Sequence, residues 1–143
     1  MEVDTLVIDT GDDIVGVYSV GDSQFKPYRG AAIVGALARI EDAAEVITYN
    51  GGRYDLEKLA KFARSIGVSF TLKGKHTDMR EICWSPRILG TSLVDTFKQQ
   101  FGRPPRRFPD TYEGNCECDV DMTYRLWYAW KEGTLRILDG HVG

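Results

Sequence analysis

Only two histidines and three cysteines occur in the 143 residues, and that scarcity is informative. His76 and His141 stand far apart, and Cys116-x-Cys118 has no second cysteine or histidine pair at zinc-ligand spacing, so no structural zinc site is expected. An odd number of thiols without a secretory leader favours reduced cysteines and a cytoplasmic setting over a disulfide framework. The opening MEVDTLVID is acidic where a leader would be basic. No run of about 18 apolar residues is present, which excludes a transmembrane helix and any membrane partner of that kind. Neither an internal repeat nor a linker is visible. With 43% hydrophobic, 11% aromatic and 27% charged residues, the composition is that of a folded globular chain. One domain over residues 1–143 is the expectation.

The net charge of −3 hides an uneven distribution. Residues 1–55 carry ten acids against four bases, residues 56–109 four against eleven, and residues 110–143 seven against three. A basic middle between acidic ends is unlike the uniformly basic surface of a non-specific DNA-coating protein. It suits a chain that gathers carboxylates for a metal and keeps cations for phosphates. Mixed charge on exposed helix faces is the competing explanation.

Local patterning alternates strand and helix. Thr5–Asp9 and Ile14–Val20, rich in Val, Ile and Tyr, flank the polar turn Gly11-Asp12-Asp13 and predict a β-hairpin. Gln24–Arg29 adds a third strand, with Pro27 marking it as an edge. In GAAIVGALARIEDAAEV, Ile33, Leu37, Ile40 and Ala44 fall on one helical stripe. Val46–Tyr49 is a short strand stopped by Asn50-Gly51-Gly52. A helix over Tyr54–Ile66 repeats Leu56, Leu59, Ala63 and Ile66, with Gly67 as its stop. Val68–Leu72 is expected as a further strand, and TDMREICW fits either element. Ser92–Phe101 is helical, with Ser92 and Asp95 at cap spacing and Gly102 at the end. GRPPRRFP is a rigid basic loop. The last helix is expected over Asp119–Lys131, carrying Val120, Tyr124, Trp127 and Trp130 on one side. A hairpin followed by alternating helices and strands predicts an α/β layer architecture.

VIDTGDD, Val7 to Asp13, supports two readings. Asp9-Thr10-Gly11 resembles the active-site loop of retroviral-type aspartic proteases, and RILG, Arg87 to Gly90, echoes a second element of those enzymes. Such proteases are almost entirely β and act as symmetric dimers, whereas helical segments fill this chain from Gly30 onward. The alternative rests on three separated stretches: Asp9 ending an apolar strand; YNGGRYD, in which Asn50-Gly51 precede Tyr54-Asp55 at a helix start; and NCECDVDMTYRLW, in which Cys116 and Asp119-Val120 lead into Thr123 and Leu126. With TDMREI, TSLVDTFKQQFG and WKEGTL between and after them, these resemble the DEDD superfamily of 3′–5′ exonucleases, closest to its bacterial branch. The likeness spans roughly residues 5 to 135.

That resemblance implies an RNase-H-like mixed β-sheet flanked by α-helices and a two-ion Mg²⁺ or Mn²⁺ site. It implies Asp9, Asp55 and Asp119 as catalytic metal ligands, and hydrolysis of single-stranded DNA or RNA from 3′ ends. The chemistry is physically coherent. Hard cations prefer carboxylate oxygen, and two ions roughly 3.5–4 Å apart can activate water and stabilise the leaving oxygen. Each acid also has an ordinary structural role available to it, as a turn or helix-cap residue. Asn50 is a candidate to position substrate or cap its turn, and Asp78 is expected to be structural. Tyr54 and Trp84 are candidate stacking faces or core residues. Arg106 and Arg107, with Lys58, Lys61, Arg64, Lys73, Lys75 and Arg103, are candidate backbone contacts.

Two positions depart from the family pattern. The family's first motif is Asp-x-Glu, whereas Gly11 stands at the glutamate's place; Asp13, on the same side of an ideally continued strand, is the candidate replacement ligand, or Asp12 if the turn twists. The Tyr or His that orients water before the last aspartate is replaced by Asn115, with Gly114 at the neighbouring position and Tyr112 near. A catalytically silent module that binds nucleic acid or a protein partner accounts for both departures.

Overall fold

The computed structural model describes residues 4–52, 54–85 and 91–139; the RILG stretch lies outside them. Five strands form one mixed sheet in the order β3-β2-β1-β4-β5. They are β1 (Thr5–Gly11), β2 (Ile14–Ser19), β3 (Gln24–Arg29), β4 (Glu45–Thr48) and β5 (Lys75–Asp78). β1, β2 and β3 pair antiparallel, while β4 runs parallel to both β1 and β5. The helices are α1 (Ile33–Asp42), α2 (Asp55–Ser65), α3 (Met79–Cys83), α4 (Leu93–Phe101) and α5 (Tyr112–Lys131). This is the α/β architecture expected from the alternation of local patterns, and the mixed sheet with helical flanks is that of an RNase-H-like fold. Pro27 sits on edge strand β3, where its missing N–H costs no inner ladder bond.

The sheet carries a separate core on each face because side chains alternate along a strand. Leu6 and Ile8 of β1, Val15 and Val17 of β2 and Val46 of β4 pack with Ile33, Leu37 and Ile40 of α1 and Leu59 and Ala63 of α2. Val7 and Ile47 point the other way, toward Met79, Cys83, Val120 and Leu126 of α3 and α5. Each buried aliphatic side chain of this kind contributes about 1.5–3 kcal/mol. Continuing the alternation puts Asp9 on the α5 face and Thr10 on the α2 face.

Three local expectations change. The fifth strand is not Val68–Leu72 but Lys75–Asp78. The earlier stretch crosses the helices instead, with Phe70 and Leu72 packed against the α1–α2 core and Val68 exposed. Gly74 then passes against the Ala43 and Ala44 carbonyls, where any Cβ would collide. The α1 stripe ends at Ala43, which is buried, not at Ala44, because the helix stops at Asp42 and β4 starts at Glu45. Ile66, expected inward, is also exposed, since it caps α2 after the last full turn.

The largest change concerns α5, which begins at Tyr112, seven residues before Asp119. Thr111 is its N-cap, with Oγ1 accepting from the Gly114 N–H at 2.9 Å. Gly114, which reads as a helix breaker, is required there: a Cβ would run into the Pro109 carbonyl. Asp119 therefore lies two turns inside the helix and is not in its first turn, so no helix-terminal field acts on it. Among the described residues, no helix is long and apolar enough to cross a membrane.

Candidate active site

Asp9 leaves β1 toward α5, where Asp119 projects from the helix to meet it. Both carboxyls have raised pKa values, and each is among the groups that shift the other. For Asp9 the largest cause is burial, followed by the charges of Asp119 and Asp55, which together push it up to about 8. For Asp119 the cause is burial. The charge of Asp119 opposes ionisation of Asp9, and a bound cation would offset that repulsion.

The approach of α5 to β1 depends on one glycine. Gly16 pairs with Asp9 across the β1–β2 ladder, and a Cβ there would overlap the Cys116 sulfur and the Phe25 ring. Cys116 consequently reaches β1, its thiol donating to the Asp9 carbonyl at 3.7 Å. Burial pushes that thiol's pKa well up, which makes Cys116 a packing residue and not a nucleophile.

Asp55 opens α2 beside this pair but is held from the opposite side of β1. Its Oδ1 accepts both the Thr10 backbone N–H at 3.2 Å and the Thr10 hydroxyl at 2.6 Å. Burial raises its pKa to about 6, against the downward pull of the two Thr10 bonds. Both bonds end on one oxygen, leaving Oδ2 as the atom that can turn toward a cation.

Asp9 and Asp119 line a cleft of about 420 Å³ together with Asn50, Tyr54, Arg80, Ser92 and Thr123. Of the three catalytic acids expected, Asp55 does not line it. Nor does Asp13: it sits in the two-residue turn between β1 and β2 with a φ of 55°, and faces a separate cavity with Lys58, Leu59 and Phe62. The tight turn breaks the strand alternation after Gly11, so Asp13 does not replace the absent glutamate. Among the described residues, no group of three or more His, Cys, Asp or Glu side chains is placed to hold a metal ion. The acidic ligands offered within the cleft are a pair. Two carboxylates with water and substrate phosphate completing the shell suit Mg²⁺ or Mn²⁺. They do not supply the richer carboxylate set that the expected two-ion site calls for.

The other expected contacts divide. Asn50 and Tyr54 line the cleft, and Tyr54 is 60% exposed. Trp84 is buried, its indole N–H donating to Thr96 Oγ1 at 3.0 Å, so it offers no stacking face. Arg106 lies over the Phe108 ring and lines a different cavity with Tyr18 and Tyr124; Arg107 is exposed and also outside the cleft. The rigid 102–109 loop places both arginines away from the acidic pair. Asn115 is exposed, with its amide directed at Asp110, and Tyr112 stacks with Arg29, 62% exposed. Neither occupies the position of a water-orienting residue.

Asp78 is structural, as expected. Its Oδ1 caps α3 by accepting from the Arg80 N–H at 3.0 Å, and it also accepts from the Asn50 N–H at 2.6 Å. That second bond holds Asn50 in a left-handed conformation, φ 62°, which asparagine tolerates better than most residues. Arg80 is the cleft residue the sequence reading missed. Its signal was present: Asp78 with Glu81 three residues later marks a helix start, and the helix follows a strand end, where α/β sheets bind ligands.

The paired-carboxylate cleft lies at the carboxyl ends of the parallel strands of a mixed sheet, where open α/β sheets bind ligands. The family model of the RNase_H superfamily matches residues 9–140, and the chain belongs to that superfamily. Nucleic acid is accordingly the class of ligand that its fold points to. No curated protein matches the chain.

Proposed function

We propose that residues 1–143 form one RNase-H-like domain of exonuclease type, which hydrolyses phosphodiester bonds at single-stranded DNA or RNA ends with Mg²⁺ or Mn²⁺. The observation that carries this reading is the Asp9–Asp119 pair, two half-buried acids from distant parts of the chain that line one open cleft and both have raised pKa values. A divalent cation supplies the charge this pair lacks, neutralises a phosphate and acidifies a water. The chain's own part is to hold both carboxylates, to keep Asp55 close by through Thr10, and to seat the strand beside Asn50 and Tyr54. The 3′-to-5′ direction follows from the resemblance to DEDD exonucleases, as does a cytoplasmic setting from the reduced thiols.

The test is cleavage of end-labelled single-stranded DNA and RNA by the purified protein with Mn²⁺. Shortening of the strands by the wild type, and none by Asp9→Asn or Asp119→Asn, supports the reading. Equal products from all three proteins sink it.

A second reading, a silent module that binds nucleic acid or a protein partner, is favoured by Gly11 and by Asn115 facing away from the cleft. In that case strands bind with equal affinity with Mn²⁺ or with EDTA, and no cleavage occurs. A protein interface is distinguished by salt, since phosphate contacts weaken steeply as salt rises.

A further inference from the structure

We propose that a cavity on the far side of α5 from the Asp9–Asp119 cleft is a nucleotide pocket, which takes one unstacked base of a single strand among aromatic rings and its phosphate on Arg106. This rests on the nucleic-acid reading of the fold and adds a second contact, outside the cleft.

Helix geometry separates the two places. Asp119 and Thr123 line the cleft, whereas Glu117, Asp121 and Tyr124 line the cavity. Two positions along an α-helix turn by about 200°, so Asp119 faces away from residues 117 and 121. The cavity holds about 290 Å³, the small end of ligand-pocket sizes, which suits one base and not a folded element.

Its walls are aromatic and anchored. Tyr18 of β2, Phe25 of β3 and Tyr124 of α5 pack against the core that contains Val7 and Val120, and all three also line the cavity. The Tyr18 and Tyr124 rings lie 5.0 Å apart. Rings seated in this way lose little freedom when a base stacks on them. The 102–109 loop supplies Arg106 and Phe108. Pro104, Pro105 and Pro109 restrict its backbone, and the Cys118 thiol donates to the Arg106 carbonyl at 3.8 Å, which ties the loop to α5. The Arg106 guanidinium lies 4.6 Å from the centre of the Phe108 ring, and among the described residues it enters no ion pair. A guanidinium stacked on a ring keeps its N–H edge for phosphate oxygens.

The acids narrow the ligand. Asp121 is engaged by Arg125, whose Nε donates to its Oδ2 at 3.0 Å. The Glu117 carboxylate has no ion-pair partner among the described residues, so the cavity offers an acceptor as well as the arginine donors. A ligand that meets all three features has a flat π face, an N–H edge and an anionic oxygen. A nucleotide has them; a lone apolar or acidic side chain does not. Among the bases, guanine presents two adjacent N–H donors that match the two oxygens of one carboxylate, whereas thymine flanks its single N–H with carbonyls.

The experiment is fluorescence anisotropy in EDTA with a fluorescein-labelled oligothymidylate and the same strand carrying one central deoxyguanosine. The wild type should bind the guanine strand about tenfold more tightly. Glu117→Ala should abolish that preference and leave thymidylate binding no weaker. Arg106→Ala should weaken both strands about tenfold and lower the salt slope by roughly one. Phe108→Ala should weaken both roughly tenfold. Amide NMR with guanosine monophosphate locates the contact: the signals of Arg106, Phe108, Glu117 and Asp121 should shift, and those of Asn50, Tyr54 and Ser92 should stay. A wild type without guanine preference, an Arg106→Ala variant of unchanged affinity, or shifts confined to the cleft each overturns the proposal. Weakened binding in Arg106→Ala together with a lowered circular-dichroism melt also overturns it, because the arginine then acts through the fold. Failure of the nuclease reading registers separately, as absent cleavage in Mn²⁺ while guanine-dependent binding in EDTA persists.

Discussion

Thr10 and Asp55, 45 positions apart, are joined twice: backbone N–H and hydroxyl of the threonine both donate to the same carboxylate oxygen. Asp55 is 5% exposed, so these bonds answer most of the polar demand of a buried acid. Thr10→Val keeps the shape and removes the hydroxyl. It should destabilise the protein by about 1–3 kcal/mol in urea unfolding and raise the Asp55 pKa above about 6 in carboxyl NMR titration. An unmoved pKa would show that burial alone sets it.

Asp9→Asn separates metal binding from stability. The change removes an acid whose pKa is pushed up by burial and by the charges of Asp119 and Asp55. In EDTA at pH 8 the variant should be more stable than the wild type by about 1–2 kcal/mol, because the repulsion is gone. Its Mn²⁺ affinity should fall at least about tenfold, since one of two carboxylates is lost. A variant that is both less stable and equally tight for Mn²⁺ contradicts the assignment.

The same raised values set a pH dependence. Asp9 titrates near 8 and Asp55 near 6, both from an ordinary value of 3.8. Between these limits the folded protein keeps protons that the unfolded chain has released. Stability contributed by the protonated acids is therefore full below pH about 4 and lost as pH rises toward 8. Urea midpoints in EDTA should fall between pH 5 and pH 8, and saturating Mg²⁺ should reverse most of the fall at pH 8. A midpoint that rises across this range would contradict the burial of the acids.

Gly16→Ala tests how the pair is assembled. Its Cβ would collide with the Cys116 sulfur and the Phe25 ring, so the Cys116 side chain, and with it the packing of α5 on β1, has to shift. The expected cost is about 1–3 kcal/mol, with Mn²⁺ affinity reduced because Asp119 retreats from Asp9. Gly16→Ala with Cys116→Ala should regain part of both, since the second change removes the clashing sulfur; a double-mutant cycle measures the coupling.

The legible parts of the fold were those written in local periods. The β1–β2 hairpin, the β3 edge and the apolar stripes of α1 and α2 follow from strand alternation and helical spacing that survive in the fold. The start of α5 was hidden because Gly114 and Asn115 are poor helix formers, and their place is secured by the Thr111 cap and the close passage of Pro109. The fifth strand was hidden because Lys75–Asp78 is polar and short, and only pairing with β4 makes it a strand.

By itself the sequence determined the layer architecture and the types of residue that do chemistry, because side-chain period and turn residues act over a few positions. Tertiary structure alone decided company. It set Asp119 against Asp9 through Gly16, drew Asp55 onto Thr10, and brought Arg80 to Asn50 through Asp78. It also turned Asp13, Arg106 and Arg107 elsewhere. Which side chains share a cleft depends on how closely two elements pack and on single backbone angles at turns, and neither leaves a periodic trace along the chain.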